Sequence, residues 1–356
     1  MKKSLMIVVG TRPELIKVAP VMWELAKNNI PFNFIHSNQH YSQELDANII
    51  KNLDIPKPDF HLHVGSGSHA MQTGKVMESI EGVYKKIHPS VVVVHGDTNT
   101  TLGAALAAAK LNIPVAHIEA GLRSFDYAMP EEINRMLVDR ISTVLFAPTI
   151  VSFGNLRKEG IDKKKIVVTG NTIVDVLYWY KKVSNGGTFK PPVKKPYILV
   201  TAHRQENVDN KNQLKKILEL LHMLSSQTHM NILWPIHPRT RSNLMKFDLS
   251  IHDSEIKVIS PVDYFQMISF LTNASLVVTD SGGIQEEAYV LKKPLLTIRT
   301  TTERPETLSA NIITGLDAKK VIRGWKRYQN GYGVWNSLLG KGDAAIKIVE
   351  RLKTFI

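Results

Sequence analysis

The chain has 356 residues, 43% hydrophobic and 22% charged, which is too long for one ordinary domain and comfortable for two with separate cores. It contains no cysteine, which excludes disulfides, thiolate metal sites and a cysteine nucleophile. Lys and Arg outnumber Asp and Glu by 45 to 32, but much of the excess lies in local runs such as Lys163-Lys164-Lys165, 190–195 and 319–327 with no aromatic-interleaved basic stripe, so no nucleic-acid partner is expected.

The first element, after Met1-Lys2-Lys3, is an apolar run at 5–9 that ends in Gly10-Thr11-Arg12-Pro13-Glu14 with no small-residue cleavage site. It reads as a buried strand rather than a signal peptide. No apolar stretch approaches membrane-spanning length, so no membrane partner is expected and the expected compartment is the cytoplasm. Further strands are expected at 32–36, 91–95, 115–119, 143–146, 166–168, 197–201, 231–236, 256–259, 276–279 and 294–298. Several are continuous apolar runs, Val91-Val92-Val93-Val94 above all, which mark strands covered on both faces as in a parallel sheet. The intervening segments read as helices: 102–111 is alanine-rich and buried, 212–224 is amphipathic, and 343–355 closes the chain.

The stretch 184–196, rich in glycine, proline and lysine, is the best boundary, and the βα pattern restarts after it. The expected fold is therefore α/β: two Rossmann-like doubly wound domains, 1–184 and 196–342, facing a shared cleft, with the helix at 343–356 packing back on the first.

Open parallel sheets bind ligands beyond the carboxyl ends of their strands. Polar and ionisable groups stand at nearly every such position here. Gly10-Thr11-Arg12 follows the first strand, with Lys17 a helical turn further on. Gly96-Asp97, Glu119-Ala120-Gly121-Leu122-Arg123, His203-Arg204, His237-Pro238, Asp280-Ser281-Gly282-Gly283 and Glu303-Arg304 follow later ones. The turns at Gly10 and at Ser281 both read as strand, tight turn and helix start, a geometry that aims unpaired N–H groups at an anion. The second half offers His203, His237 and Arg304 beside Ser281-Gly282-Gly283, cations and amides suited to a diphosphate. The first half offers Asp97, Glu119 and Glu131, carboxylates suited to removing and returning a proton, with burial and like charge raising one of them. Asp97 as a helix cap and Glu131 as a helix-dipole partner are the alternatives. The pair His61 and His63 alternates along a likely strand without a third ligand, which points to structure rather than a metal. No complete nicotinamide fingerprint, nucleophile elbow, phosphate-loop motif or D-x-D pair is present.

Taken in order, Gly10-Thr11-Arg12-Pro13-Glu14 with Lys17, His95-Gly96-Asp97-Thr98, Glu119-Ala120-Gly121-Leu122-Arg123, Pro130-Glu131-Glu132-Ile133-Asn134-Arg135, Thr169-Gly170-Asn171-Thr172, His203-Arg204, Asp280-Ser281-Gly282-Gly283-Ile284-Gln285-Glu286-Glu287 and Thr302-Glu303-Arg304-Pro305-Glu306 resemble the non-hydrolysing UDP-N-acetylglucosamine 2-epimerases. The resemblance runs from residue 5 to about 310; the tail 324–356 matches no motif of the family. It implies a GT-B-like pair of domains, a UDP-sugar substrate, and interconversion of UDP-GlcNAc with UDP-ManNAc by anti elimination of UDP through 2-acetamidoglucal and re-addition. No metal or redox cofactor is implied, and a homodimer is. By the same likeness Asp97, Glu119, Glu131 and His203 are catalytic. Arg12, Lys17, Arg123, Arg135, His237, Ser281, Gly282, Gly283, Glu287 and Arg304 hold or surround the substrate, with Glu287 on the ribose hydroxyls.

Gly65-Ser66-Gly67-Ser68-His69 and Arg123-Ser124-Phe125 also resemble a sister branch acting on UDP-2,3-diacetamido-uronic acids. That branch usually carries Lys at the place of Glu286 and lacks the Arg304-Pro305 pair, so Glu286 and Arg304 favour the GlcNAc branch. Gln39, His40 and Gln72 lie in segments that could serve a second, activating UDP-GlcNAc. A GT-B glycosyltransferase using the same nucleotide device is the reading from another enzyme class.

Overall fold

β-Branched runs buried on both faces set the architecture. The computed structural model describes residues 4–38, 43–183, 189–251 and 254–356. Gln39 and His40, and the 184–188 opening of the expected boundary stretch, lie outside them. In chain order the elements begin with β1 (Leu5–Val9), α1 (Arg12–Lys27), β2 (Phe32–His36), α2 (Gln43–Asn52), β3 (Phe60–His61), α3 (His69–Ile87), β4 (Val91–His95), α4 (Asn99–Lys110) and β5 (Val115–Ile118). There follow α5 (Pro130–Ile141), β6 (Val144–Ala147), α6 (Ile150–Lys158), β7 (Ile166–Val168), α7 (Thr172–Val183), β8 (Tyr197–Thr201), α8 (Gln205–Val208), α9 (Lys211–Thr228) and β9 (Asn231–Pro235). The rest are α10 (Pro238–Lys246), β10 (Ile256–Ile259), α11 (Tyr264–Asn273), β11 (Leu276–Thr279), α12 (Gly282–Val290), β12 (Leu295–Thr297), β13 (Asn311–Ile313), α13 (Ala318–Gln329) and α14 (Ala344–Leu352).

The chain forms two units, Met1–Trp179 with Ser337–Ile356, and Tyr180–Asn336. The first holds a seven-stranded sheet in the order β3-β2-β1-β4-β5-β6-β7, parallel throughout. The second holds a six-stranded sheet, also parallel throughout, in the order β10-β9-β8-β11-β12-β13. In each, the direction of winding reverses at the centre, between β1 and β4 and between β8 and β11. Those switch points are where a doubly wound sheet opens a crevice at its carboxyl edge.

The cores follow from the same pattern. In the first unit Met6, Val8, Val92 and Val94 meet Val76, Ile80 and Tyr84 of α3 and the alanine face of α4. A Cβ at Gly103 would come within 2.9 Å of the Thr73 carbonyl oxygen and Val76, so glycine there lets α4 approach α3. In the second unit Ile198, Val200, Ile232, Trp234 and Val278 are covered by Leu214, Ile217, Leu221 and Leu224 of α9 and by Val321 and Tyr328 of α13. The tail joins the first unit: α14 lies against α1, Lys353 donates to Asn28 Oδ1 at 3.1 Å, and the Ala345 amide donates to Asp175 at 3.0 Å.

The structure differs from the sequence reading at the sheet edges. β13, of three residues, is too short to carry a periodic signal and was not expected. The alternation expected through His61 and His63 stops at His61, because His63 has a left-handed backbone with φ of 51°.

Candidate active site

In the first unit the site is built at the β1/β4 switch point. Gly10-Thr11 turns the chain into α1, but not as the anion cradle expected of it. Glu14 folds back and accepts from the Gly10 amide at 2.8 Å, the Thr11 amide at 2.7 Å and the Thr11 hydroxyl at 2.9 Å. It also accepts from Thr98 Oγ1 at 2.8 Å and Thr101 Oγ1 at 2.9 Å, tying the start of α1 to that of α4. Burial raises its carboxyl above the usual range against the pull of these donors. The turn's N–H groups are therefore spent on an internal carboxylate. Gly10 is needed for packing: a Cβ there would stand 2.2 Å from Thr100 Oγ1.

The expected carboxylates take separate positions at the strand ends. Asp97, just past β4, is half-buried and paired with Arg135 of α5, whose Nε donates to it at 3.2 Å. The other arm of Arg135 donates to Glu132 at 2.6 Å, and Glu132 in turn accepts from the Ser124 and Phe125 amides, both at 3.0 Å. Of the two adjacent glutamates, Glu132 is buried as a brace while Glu131 faces a cavity. That cavity, about 420 Å³, is lined by Thr11, Asp97, Thr98, Asn99, Glu131 and Asn134 together with Ser66, Gly67, His69 and Gln72.

Glu119 follows β5 in a left-handed conformation, φ 70°, that costs a non-glycine residue about 1–3 kcal/mol. It is ion-paired with the buried Lys17 of α1, and its second oxygen is 3.7 Å from His95 Nε2. Asp97 and Glu119 each have a cation partner, Arg135 and Lys17. Arg12 opens α1 and is partly exposed.

Arg123 was expected at the substrate, but its guanidinium is buried and spent within the fold. It donates to Glu159 through Nε and Nη2 at 2.6 Å, to the Leu122 carbonyl at 2.7 Å, and meets Asp139 at 2.8 Å. Asp139 also accepts from the Gly121 amide at 3.1 Å and faces His117 Nδ1 at 2.7 Å, while His117 Nε2 lies 2.8 Å from the Gly96 carbonyl oxygen. This buried chain holds the turns on either side of Asp97 and Glu119. Arg135 bridges Asp97 and Glu132.

In the second unit the β8/β11 switch point carries His203 and Ser281. Asp280, fully buried, accepts from the His203 and Arg204 amides and from Asn207 Nδ2, each at 3.0 Å, and lies 3.2 Å from His203 Nδ1. Burial would raise its carboxyl, but these partners hold it below the usual range. One edge of the His203 ring is fixed and the rest is partly exposed; the exposed His237 ring is 5.5 Å away. His237 caps α10, accepting from the Arg239 amide at 3.2 Å.

Ser281 caps α12, and the amides of Gly282 and Gly283 follow at the helix start, where a helix has no acceptors of its own. A Cβ at Gly283 would meet nothing nearer than 3.9 Å, whereas at Gly282 it would come within 2.7 Å of Glu303 Oε1. The second half of the sequence reading thus has an open helix N-terminus that the first half lacks.

Arg304 Nε contacts the fully buried Glu286 at 2.6 Å. Burial works to raise Glu303, but Arg304, Arg299 and Arg204 bring it down to about 2. Glu287, the residue after Glu286 on α12, is buried and faces the Tyr264 hydroxyl.

A family model described as UDP-N-acetylglucosamine 2-epimerase matches residues 24–353, including the tail in which no motif was recognised. A UDP-N-acetylglucosamine 2-epimerase of Methanocaldococcus jannaschii is 46% identical, over 98% of each chain. A crystal structure of the Methanocaldococcus jannaschii UDP-GlcNAc 2-epimerase in complex with UDP-GlcNAc and UDP superposes with a TM-score of 0.92 at 45% identity, over 99% of each chain. A UDP-2,3-diacetamido-2,3-dideoxy-D-glucuronate 2-epimerase of Pseudomonas aeruginosa is 38% identical, over 98% of this chain and 99% of its own. With two parallel doubly wound sheets and matches of this length, the chain belongs to the UDP-N-acetylglucosamine 2-epimerase family.

Proposed function

We propose that this protein interconverts UDP-GlcNAc and UDP-ManNAc. The observation that carries the reading is the placement of Asp97 and Glu131 on one cavity at the β1/β4 switch point of a member of this family. A carboxylate of the first unit takes the C2 proton while the C1–O bond breaks and its electron pair leaves with UDP, giving 2-acetamidoglucal. UDP then adds back to C1 and a second acid returns a proton to the opposite face of C2. The C2 proton is weakly acidic, so departure of a stabilised diphosphate must accompany its loss.

The second unit supplies that stabilisation. The helix start at Ser281, Gly282 and Gly283, with Arg304, His203 and His237, takes the diphosphate, and Glu287 takes the ribose. Lys17 holds Glu119 in place, and Arg135 does the same for Asp97. The homodimer and the cytoplasmic location implied by the family likeness belong to the same proposal. Light scattering reads the first, and a monomer at working concentration would remove it.

Incubation with UDP-GlcNAc alone, followed by NMR, tests the reaction. UDP-ManNAc should appear without an acceptor. A glycosyltransferase would leave UDP-GlcNAc unchanged until an acceptor is added, and turnover only of a UDP-2,3-diacetamido-uronic acid would assign the chain to the sister reaction.

A further inference from the structure

The cavity that carries Asp97 and Glu131 also carries a residue for which the reaction above has no use. His69 is the first residue of α3, exposed, and lines the cavity wall. Its Nδ1 is 3.1 Å from Asn99 Nδ2 and 3.3 Å from Asn99 Oδ1. Asn99 Nδ2 also donates to Gln72 Oε1 at 2.8 Å, and Gln72 Nε2 donates to the Gly65 carbonyl oxygen at 2.9 Å. On the other side Asn134 Nδ2 donates to the Asp97 carbonyl oxygen at 2.9 Å and lies 3.3 Å from Asn99 Oδ1.

This chain of amides has a fixed direction. Both ends rest on backbone carbonyls, which only accept, so Gln72 and Asn134 must each present their NH₂ group there. Gln72 then turns Oε1 to Asn99, which must answer with Nδ2. Asn99 Oδ1 turns to Asn134. The Asn99 atom nearer to His69 is the donor, Nδ2 at 3.1 Å against Oδ1 at 3.3 Å, and Oδ1 already faces Asn134, so this arrangement favours an accepting His69 Nδ1 with the ring proton on Nε2. In that tautomer His69 offers an N–H donor at the cavity it lines.

We infer that His69 is a specificity-determining residue that donates from Nε2 to the acetamido carbonyl oxygen of the substrate. The inference rests on the proposed reaction at C2. The acids that would work on C2 line the same cavity, so the C2 substituent is the group next to them. Ionised carboxylates only accept and cannot recognise a carbonyl oxygen; a neutral imidazole N–H can. The substrate class is then nucleotide sugars with a 2-acetamido group. A 2-hydroxy sugar lacks the acceptor.

Calorimetry with UDP-GlcNAc and with UDP-glucose, on the wild type, His69→Leu and His69→Gln, tests this. His69 is exposed, so both variants should fold. His69→Leu should weaken UDP-GlcNAc about tenfold and raise its KM similarly, leaving UDP-glucose within about twofold, as expected for one lost neutral hydrogen bond. His69→Gln, which keeps an N–H donor, should recover most of the loss. Side-chain ¹⁵N NMR should show the Nε2–H tautomer at His69, and Asn99→Asp, which replaces the donor with an acceptor, should move the proton to Nδ1. Equal weakening of both nucleotides in His69→Leu, no weakening of either, or an Nδ1–H tautomer in the wild type would each overturn the inference. A wild type that discriminates through His69 yet forms no UDP-ManNAc would sink the reaction and spare the acetamido site.

Discussion

At the scale of single residues, the acids that line the cavity are distinct from the groups that hold them in place. Asp97 and Glu131 face a cavity, while Arg135, Glu132, Arg123 and Glu14 are spent on ion pairs and amides around it. Asp97→Asn and Glu119→Gln should each slow turnover by about 10²- to 10⁴-fold, the usual worth of a positioned acid or base. UDP affinity should change by no more than about threefold; an equal fall in affinity and in rate would contradict the division of labour. The two helix-start glycines on which the sequence reading leaned should behave oppositely. Gly10→Ala drives a Cβ into the buried Thr100 and should cost about 1–3 kcal/mol, read as a lower Tm. Gly283→Ala has room, so its Tm should hold while affinity for UDP falls. A Gly283→Ala protein that binds UDP as tightly as the wild type would remove the α12 amides from the diphosphate site.

At the scale of elements, Glu286 of α12 and Arg304 stand on different segments and are joined by one buried contact. Arg304→Ala should lose UDP affinity and also about 3 kcal/mol of stability, because it strands a buried carboxylate. Adding Glu286→Gln should restore most of the stability and none of the affinity; recovery of both would make Arg304 a brace only. The strands and their order of use were legible because Val91-Val92-Val93-Val94 and its counterparts can be nothing but strands covered on both faces. β13 was not, because three residues carry no period. Asp97, Glu119 and Glu131 were legible as polar groups at strand and helix ends. The same signal marked Arg123, whose role depends on Glu159 and Asp139, residues distant in sequence. The occupied turn at Gly10 was legible in principle: Thr11-Arg12-Pro13-Glu14 has the spacing of a capping box, in which the fourth residue returns to the first amides. His69 was marked only as part of Gly65-Ser66-Gly67-Ser68-His69, because its partners Asn99 and Gln72 meet it only in the fold.

At the scale of the whole molecule, two units with separate cores carry different electrostatics. In the second, Glu303 sits among Arg304, Arg299 and Arg204 and its carboxyl falls from 4.5 to about 2 on folding. A group lowered on folding stabilises the protein above its unfolded value, and that contribution is lost as pH falls from about 4.5 toward about 2. The shift corresponds to roughly 3 kcal/mol. Glu303→Gln should therefore flatten the acid limb of stability against pH in that window, and an unchanged limb would remove Glu303 as its source. In the proposed function the first unit offers acids to the sugar and the second offers cations and amides to the nucleotide. The most direct test of that division is solvent deuterium incorporation with UDP-GlcNAc as the only substrate, followed by ¹H NMR. The C2 proton signal should disappear as UDP-ManNAc forms, in the wild type and far more slowly in Glu119→Gln. Formation of UDP-ManNAc with the original C2 proton retained, or no exchange at all, would contradict proton removal at C2.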